Sequence, residues 1–356
     1  MADQSNPAIR ASLAEMLRGL GLPVHSLRGE NFKEKKGVWW VDAGDGAVYI
    51  LKKLTVSRDR LGFLLAAVDH LRKHGVLIPA PVPLPASGLP YFANYGAFYV
   101  LSEAVDGRAP LYDVPEELEF IARALAGFHA ASRGFVPPAD GKERTHLGRW
   151  PEDYRQKRER LSAYASRAAG EASAFARQAS SAIPRFIELA ARAEEELARS
   201  GYASWCEAVA REPILCHQDF AAGNLAVAVQ PIAGATSVPI WIFDTDSITI
   251  DLPVRDLRKI LNKALKKGDT WDSGKARAFL DSYRRVFPLT ADQLEVLRVD
   301  LGFPHLFYGI VSKYFEGREN EWDESKFRKK LAQVIAFEAS KEQSLGVLMA
   351  ERGLVQ

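Results

Sequence analysis

Asp219 and Asn224 stand five residues apart in the run Cys216-His217-Gln218-Asp219-Phe220-Ala221-Ala222-Gly223-Asn224, and twenty residues after Asn224 comes Asp244, within Trp241-Ile242-Phe243-Asp244-Thr245-Asp246. A carboxylate, an amide and a second carboxylate in this order suit phosphoryl transfer from ATP. One acid sits beside the attacking hydroxyl, while the other two groups hold the magnesium ions that bridge the phosphates. On this reading Asp219 is the base, and Asn224 and Asp244 are Mg²⁺ ligands. Asp246 either approaches a second metal or is a solvated loop acid. His217 completes the catalytic pair of positions by bracing the loop, without exchanging protons.

The elements around these residues explain how they meet. Leu225 to Val229 reads as a strand, Gln230 to Ser237 as a turn rich in Pro, Gly and Ser, and Val238 to Phe243 as the return strand. An antiparallel hairpin brings its open ends together, so Asn224 lies beside Asp244. Two hard oxygen ligands at one strand edge suit Mg²⁺, which completes its shell with water and phosphate. Further on, Asp251 is expected to N-cap a helix starting near Pro253, and Asp256 to tie down the loop before Asn224 through its backbone.

Upstream, Val48-Tyr49-Ile50-Leu51-Lys52-Lys53 is a strand ending in a lysine pair. Alternation puts Lys52 on the face of Ile50 and Val48, so Lys52, and not Lys53, is the candidate for contacting the α/β-phosphates. The link Ser102-Glu103-Ala104-Val105-Asp106-Gly107 follows another strand, and the backbone from Glu103 to Val105 is the candidate adenine contact. No Gly-rich phosphate loop is present; Gly29 to Gly37 encloses Glu-Asn-Phe-Lys-Glu-Lys-Lys. The helix expected over Arg58 to His74 offers only Asp59 and Asp69 as acids, so Lys52 is left without a helix glutamate as partner.

Strands, one helix, more strands and a polar link describe a small α+β lobe over residues 1–102. A larger, mainly helical lobe follows over 103–356, with helices expected over Pro115–Ser132, Pro151–Ala168, Glu171–Arg199, Val254–Lys266, Gly274–Val286, Thr290–Gly309 and Lys326–Gln343. The basic stretches Arg155–Arg160 and Lys263–Lys267 read as solvated helix faces. His129 reads as a packed helix residue. Trp150, Tyr154, Trp271, Tyr308 and Tyr314 suggest an aromatic, acid-lined pocket for a cationic or amphipathic substrate.

The chain has 356 residues, 47% hydrophobic and 26% charged, with a net charge of +2. That is an ordinary globular composition with no general pull towards nucleic acid or membrane. Cys206 and Cys216 are too few for a disulfide framework, which makes a reducing cytoplasm the default setting. Neither a secretory signal nor a stretch of membrane-spanning length is seen.

The loop His217-Gln218-Asp219 through Asn224, followed by Asp244, resembles the aminoglycoside phosphotransferase and choline kinase superfamily, whose pattern is H-G-D-x-x-x-x-N and then I-D-F/W. A narrower resemblance, to the CotS-type spore coat proteins, rests on Tyr49 to Lys52, Leu125 to Ser132 and Gly148-Arg149-Trp150. Cys216 to Phe220, Phe243 to Thr249, Arg255-Asp256-Leu257 and Phe303-Pro304-His305 carry it further. The resemblance implies a bilobal protein-kinase-like α+β fold with a small antiparallel-sheet N-lobe, ATP and Mg²⁺ as cofactors and a small-molecule hydroxyl substrate. It also implies a sporulation setting, in the mother-cell cytoplasm or the spore coat among other coat proteins. Gln218 stands where the superfamily has glycine, a departure that bears on turnover and not on fold. Two functions follow: a small-molecule kinase, or a structural coat protein that keeps the fold with weak or no turnover.

Overall fold

The computed structural model describes residues 7–33, 36–141, 143–228, 239–265 and 269–350. The chain divides into two compact units. The first gathers Met1–Pro110, Val136–Glu143 and Ala222–Ile248, and the second Leu111–Phe135, Arg144–Ala221 and Thr249–Gln356.

In the first unit, α1 (Pro7–Gly19) precedes β1 (Val24–Lys33), β2 (Lys36–Ala43) and β3 (Val48–Leu54); α2 (Arg58–Lys73), β4 (Tyr91–Asn94) and β5 (Ala97–Glu103) follow. The sheet order is β1-β2-β3-β5-β4, with every neighbouring pair antiparallel. Tyr95 and Gly96 join β4 to β5 with φ of 45° and 73°, the positive pair that a two-residue hairpin turn requires. Leu13 and Leu17 of α1 pack with Trp39, Leu51 and Leu101, all essentially without exposure. Because strand side chains alternate, Leu51 faces this core while Ile50 and Lys52 face the other way. Ser57 caps α2 by accepting from Arg60 N. Gly75, at φ 86°, closes that helix, with Val76 N bonding Leu71 O and Gly75 N bonding Arg72 O.

Three short strands complete this unit: β6 (Gly107–Arg108), β8 (Leu225–Ala228) and β9 (Ile240–Ile242), in the order β6-β8-β9. A Cβ on Gly107 would lie 2.6 Å from Ala226 Cβ and 2.8 Å from Val227 O, so only glycine lets β6 approach β8 this closely. The expected hairpin is present, with Leu225 opposite Ile242. Its turn, Gln230 to Ser237, lies outside the described residues.

The second unit holds α3 (Pro115–Ala131), α4 (Trp150–Gly170), α5 (Ala174–Arg199), α6 (Tyr202–Arg211) and β7 (Leu215–Cys216). After the hairpin come β10 (Thr249–Ile250), α7 (Val254–Ala264), α8 (Ser273–Arg284), α9 (Ala291–Gly302), α10 (His305–Phe315) and α11 (Glu324–Ala350). Phe175, Phe186, Phe307, Phe315 and Phe327 form an aromatic core between α5, α10 and α11, with Phe186 and Phe307 stacked at 3.6 Å between centroids. β7 pairs antiparallel with β10, Cys216 opposite Thr249.

Four expectations change. In the stretch from Gly29 to Gly37, the candidate place for a phosphate loop, residues up to Lys33 belong to β1 and Lys36 and Gly37 to β2, with Lys33 opposite Lys36; Glu34 and Lys35 lie outside the described residues. The helix expected over Thr290–Gly309 breaks at Phe303, which is extended at φ −66°, ψ 133°. Pro304 forces that conformation on its predecessor and cannot itself donate to the helix. The helix α6 was not anticipated. Finally, α7 begins at Val254 with Pro253 in the capping position and no side-chain cap. Asp251 is therefore not an N-cap; one oxygen accepts from the next backbone N–H, Leu252, and the other serves His146 and Gln218.

Candidate active site

Within the first unit the Lys52 ammonium lies 2.5 Å from Asp244 Oδ1 and 2.7 Å from Asp246 Oδ1. All three side chains are 15–27% exposed. Burial alone would lower the lysine pKa, but Asp246 and Asp244 together overrule it and raise it. The lysine expected to lack a partner thus has two, supplied by the hairpin and not by α2. What α2 contributes is a cation. The Arg60 guanidinium donates to the backbone carbonyls of Ile248 and Asp246, while its Cζ lies 4.8 Å from the centroid of the Phe63 ring. This fixes the turn Thr245–Ser247 that carries Asp246.

Asn224 ends a short 3₁₀ turn immediately before β8. Its carbonyl accepts from Phe243 N at 2.9 Å, so the hairpin brings the backbone of Asn224 beside that of Asp244, as its pattern implied. Asp244 adopts the left-handed region at φ 55°, ψ 50°, tolerated by aspartate better than by most residues. An amide and two carboxylates, two of which already converge on one cation, are a hard-oxygen set of the kind Mg²⁺ takes. Glu103 ends β5; its backbone N–H donates to Ala80 O at 2.9 Å, and its carboxylate accepts from Ala80 N at 2.7 Å. Val105 lies just beyond that strand.

Within the second unit, His217, Gln218 and Asp219 follow β7. Asp256, fully buried on α7, accepts from His217 N at 2.6 Å and Gln218 N at 2.8 Å. His129 Nε2 stands 3.3 Å from the same carboxylate, and its Nδ1 is 2.6 Å from the Tyr283 hydroxyl. Burial pushes the Asp256 pKa up, yet the hydrogen bond and charge of His129, with Lys259 and His217, hold it below the usual carboxylate range. The expectation that Asp256 ties down the loop is met. His217 is buried between Phe128 and Phe220, and its Nδ1 accepts from Asp219 N at 3.3 Å. Cys216 donates its thiol to Asp251 O at 3.3 Å.

The Asp219 carboxylate itself is half exposed and lies 2.6 Å from Lys263 Nζ. One turn earlier on α7, Lys259 Nζ donates to Gln218 O at 2.6 Å and to Gln218 Oε1 at 2.8 Å. Burial lowers its pKa to about 8. Lys263 is exposed, as expected of a solvated helix face, and from there pairs with Asp219.

A model of the phosphotransferase enzyme family matches residues 36–289. The chain belongs to this family. It is homologous to spore coat protein S of Bacillus subtilis (strain 168), with 32% identity over 321 residues, covering 89% of this chain and 88% of that one. Among solved structures it resembles an aminoglycoside phosphotransferase from Alicyclobacillus acidocaldarius at TM-score 0.75 and 18% identity, covering 92% of each chain. Spectinomycin phosphotransferase APH(9)-Ia, solved in complex with ADP and spectinomycin, matches at TM-score 0.61 and 15% identity over 94% of this chain and 98% of that one. The fold is therefore α+β and kinase-like, with a sheet-rich amino-terminal region and a mostly helical remainder.

The departure at Gln218 from this phosphotransferase family's glycine now has a physical account. Its φ is 70°, a conformation glycine adopts freely and other residues adopt at a cost. Asp256 and Lys259 hold its backbone, while its side chain links Lys259 to Asp251, accepting at Oε1 and donating from Nε2 at 3.2 Å. Gln218→Ala keeps the strained backbone and loses both side-chain bonds, so it should destabilise the protein by about 2–4 kcal/mol. Gln218→Gly loses the same bonds without the strain and should be about 1 kcal/mol more stable than Gln218→Ala. Urea denaturation of the two variants checks this; equal midpoints would leave the strain unsupported.

Proposed function

We propose that this phosphotransferase-family chain is an ATP- and Mg²⁺-dependent kinase acting on a hydroxyl of a small molecule. The observation that carries the reading is the fork of Asp244 and Asp246 on Lys52, with Asn224 one hairpin rung away. Asp244, Asn224 and Asp246 would hold the metal, which supplies charge neutralisation on the phosphates. Lys52 would contact the α/β-phosphates. The carbonyl of Glu103 and the N–H of Val105, two residues on in the link after β5, would bind adenine, since the Glu103 N–H is already committed to Ala80. Asp219 would accept the acceptor's hydroxyl proton as the acceptor oxygen bonds to the γ-phosphorus. The bond from that phosphorus to the β–γ bridging oxygen breaks, and ADP leaves. Nucleotide complexes such as the ADP-bound spectinomycin phosphotransferase support the donor assignment.

The setting follows the homologue's name: a spore coat protein, acting in the mother-cell cytoplasm or assembled in the coat with other coat proteins. Among the described residues no helix is long and apolar enough to cross a membrane. A second reading, a coat component without turnover, is favoured by the engagement of Asp219 with Lys263.

A ligand that binds only the native state raises its stability by RT ln(1 + [L]/Kd), about 2.7 kcal/mol at one hundred times Kd. ATP with Mg²⁺ is expected to raise the melting temperature of the wild type by several degrees, and Asp244→Ala to lose most of that shift. Absence of a shift in the wild type would leave only the structural role.

A further inference from the structure

Three of the stretches that carry the spore-coat resemblance meet in the second unit, away from the roles assigned above. Trp150 opens α4, Arg255 lies in the first turn of α7, and Phe303 and His305 flank the break before α10. They surround a group of cations on two helix faces: Lys157 on α4, and Arg255, Arg258 and Lys259 on α7. Burial depresses the ammonium groups of Lys157 and Lys259, and Arg258 and Arg255 depress both further, against the opposing pull of nearby carboxylates. Crowding like charges in partly buried positions costs free energy unless an anion completes the site.

The hydrogen-bond count decides which partner is missing. The buried acids here already serve several donors each. Asp256 serves the loop backbone and His129. Asp251 takes Leu252 N, His146 and Gln218. Asp300 takes Tyr154, His305 and Arg258. Burial lowers the His305 pKa, against the pull of its Asp300 partner. The donors, by contrast, are in surplus. Among the described residues Lys157 makes no ion pair or hydrogen bond; it feels Asp153 and Asp300 only at longer range and lies over rings, 5.7 Å from the Phe303 centroid and 6.0 Å from that of Tyr308. Arg258 spends its Nε on Asp300, and Arg255 reaches Asp251 only at 3.4 Å while lying 5.9 Å from the Trp150 ring. The indole N–H of Trp150 is buried without an acceptor. Lys259 joins this group to Gln218, the chain neighbour of Asp219.

We infer that the helical unit binds an acceptor carrying an anionic group, a carboxylate or a phosphate, with Lys157, Arg255 and Arg258 as its ligands. This rests on the kinase reading for the hydroxyl that Asp219 addresses; the anion site itself stands on the donor surplus alone. Planar guanidinium groups and an ammonium set against aromatic faces suit a multi-oxygen anion. The acceptor is then a hydroxylated acid or a polyol phosphate, and not a polycation.

Isothermal calorimetry at constant ionic strength, with glucuronate, glucose 6-phosphate, glucose and glucosamine as probes, tests this on the full chain with ATP/Mg²⁺ binding measured in parallel. The two anions should bind, with their ranking distinguishing carboxylate from phosphate, and Lys157→Met should weaken them about 10- to 100-fold. Lys157→Arg should restore most of the loss, an outcome a purely structural lysine would not give. Glucose or glucosamine binding as tightly as the anions, no anion binding, or anion affinity unchanged in Lys157→Met each overturn the inference. Should Lys157→Met fail to fold, the wild-type comparison of glucuronate with glucose decides it. Anion binding without nucleotide binding would sink the kinase reading and leave the anion site; nucleotide binding with a preference for glucosamine would do the reverse.

Discussion

Asp219→Asn is expected to lower kcat by about 10²–10⁴-fold, the usual contribution of a positioned general base, while the melting shift with ATP and Mg²⁺ stays close to that of the wild type. Asparagine preserves the shape of the side chain and removes the proton acceptor, so the loss should fall on the chemical step and not on nucleotide binding. Folding should be little affected. The ion pair with Lys263 is half exposed on both sides, and exposed pairs of this kind contribute under about 1 kcal/mol. Single-turnover phosphoryl transfer on an accepted substrate is the measurement. A variant retaining wild-type turnover would remove Asp219 from the chemistry, and a wild type with nucleotide binding and no transfer to any acceptor would favour the coat component without turnover.

The second large effect is on stability. Asp256→Ala should destabilise the protein by about 3–5 kcal/mol, because it leaves two buried backbone N–H groups and His129 without their acceptor. The pH dependence follows from the depressed pKa. The native state releases this proton more readily than the unfolded chain, so the unfolded state binds more protons in the acid range and stability rises with pH there. The Asp256 contribution is complete above the unfolded value near about 4 and disappears as pH falls through the folded value. In Asp256→Asn the acid limb of a stability–pH curve, read by urea denaturation, should be shallower than in the wild type. An unchanged limb together with an unchanged midpoint at neutral pH would contradict the bracing role.

What the sequence disclosed depended on local periodicity. Alternation alone separated Lys52 from Lys53, and a turn between two apolar runs set Asn224 beside Asp244, since both inferences need only neighbours along one strand or hairpin. The break at Phe303-Pro304 was readable too, from proline's effect on its predecessor, but apolar periodicity on both sides masked it. Other features left no local trace. Arg60 bonds to carbonyl oxygens, which every residue carries, so no side-chain pattern marks its partner. Lys259 and Lys263 lie one turn apart on α7, a helix that also bears Arg255 and Arg258; composition cannot say which of its charged faces meets the loop. Lys157 sits in a basic stretch that looked solvated for the same reason. The Asp251–Pro253 spacing has the form of a helix start, and here the next backbone N–H and two tertiary partners claimed the aspartate first.

Both cysteine thiols of the chain are sequestered. Cys216 is fully buried beneath the loop and Cys206 is 8% exposed; burial raises both thiol pKa values, and for Cys216 the charges of Asp256 and Asp251 raise it further. Thiolate is the form that oxidants and alkylating agents attack, and burial in the native state disfavours it at both cysteines. Neither cysteine is therefore placed to form a disulfide or an adduct while the chain stays folded.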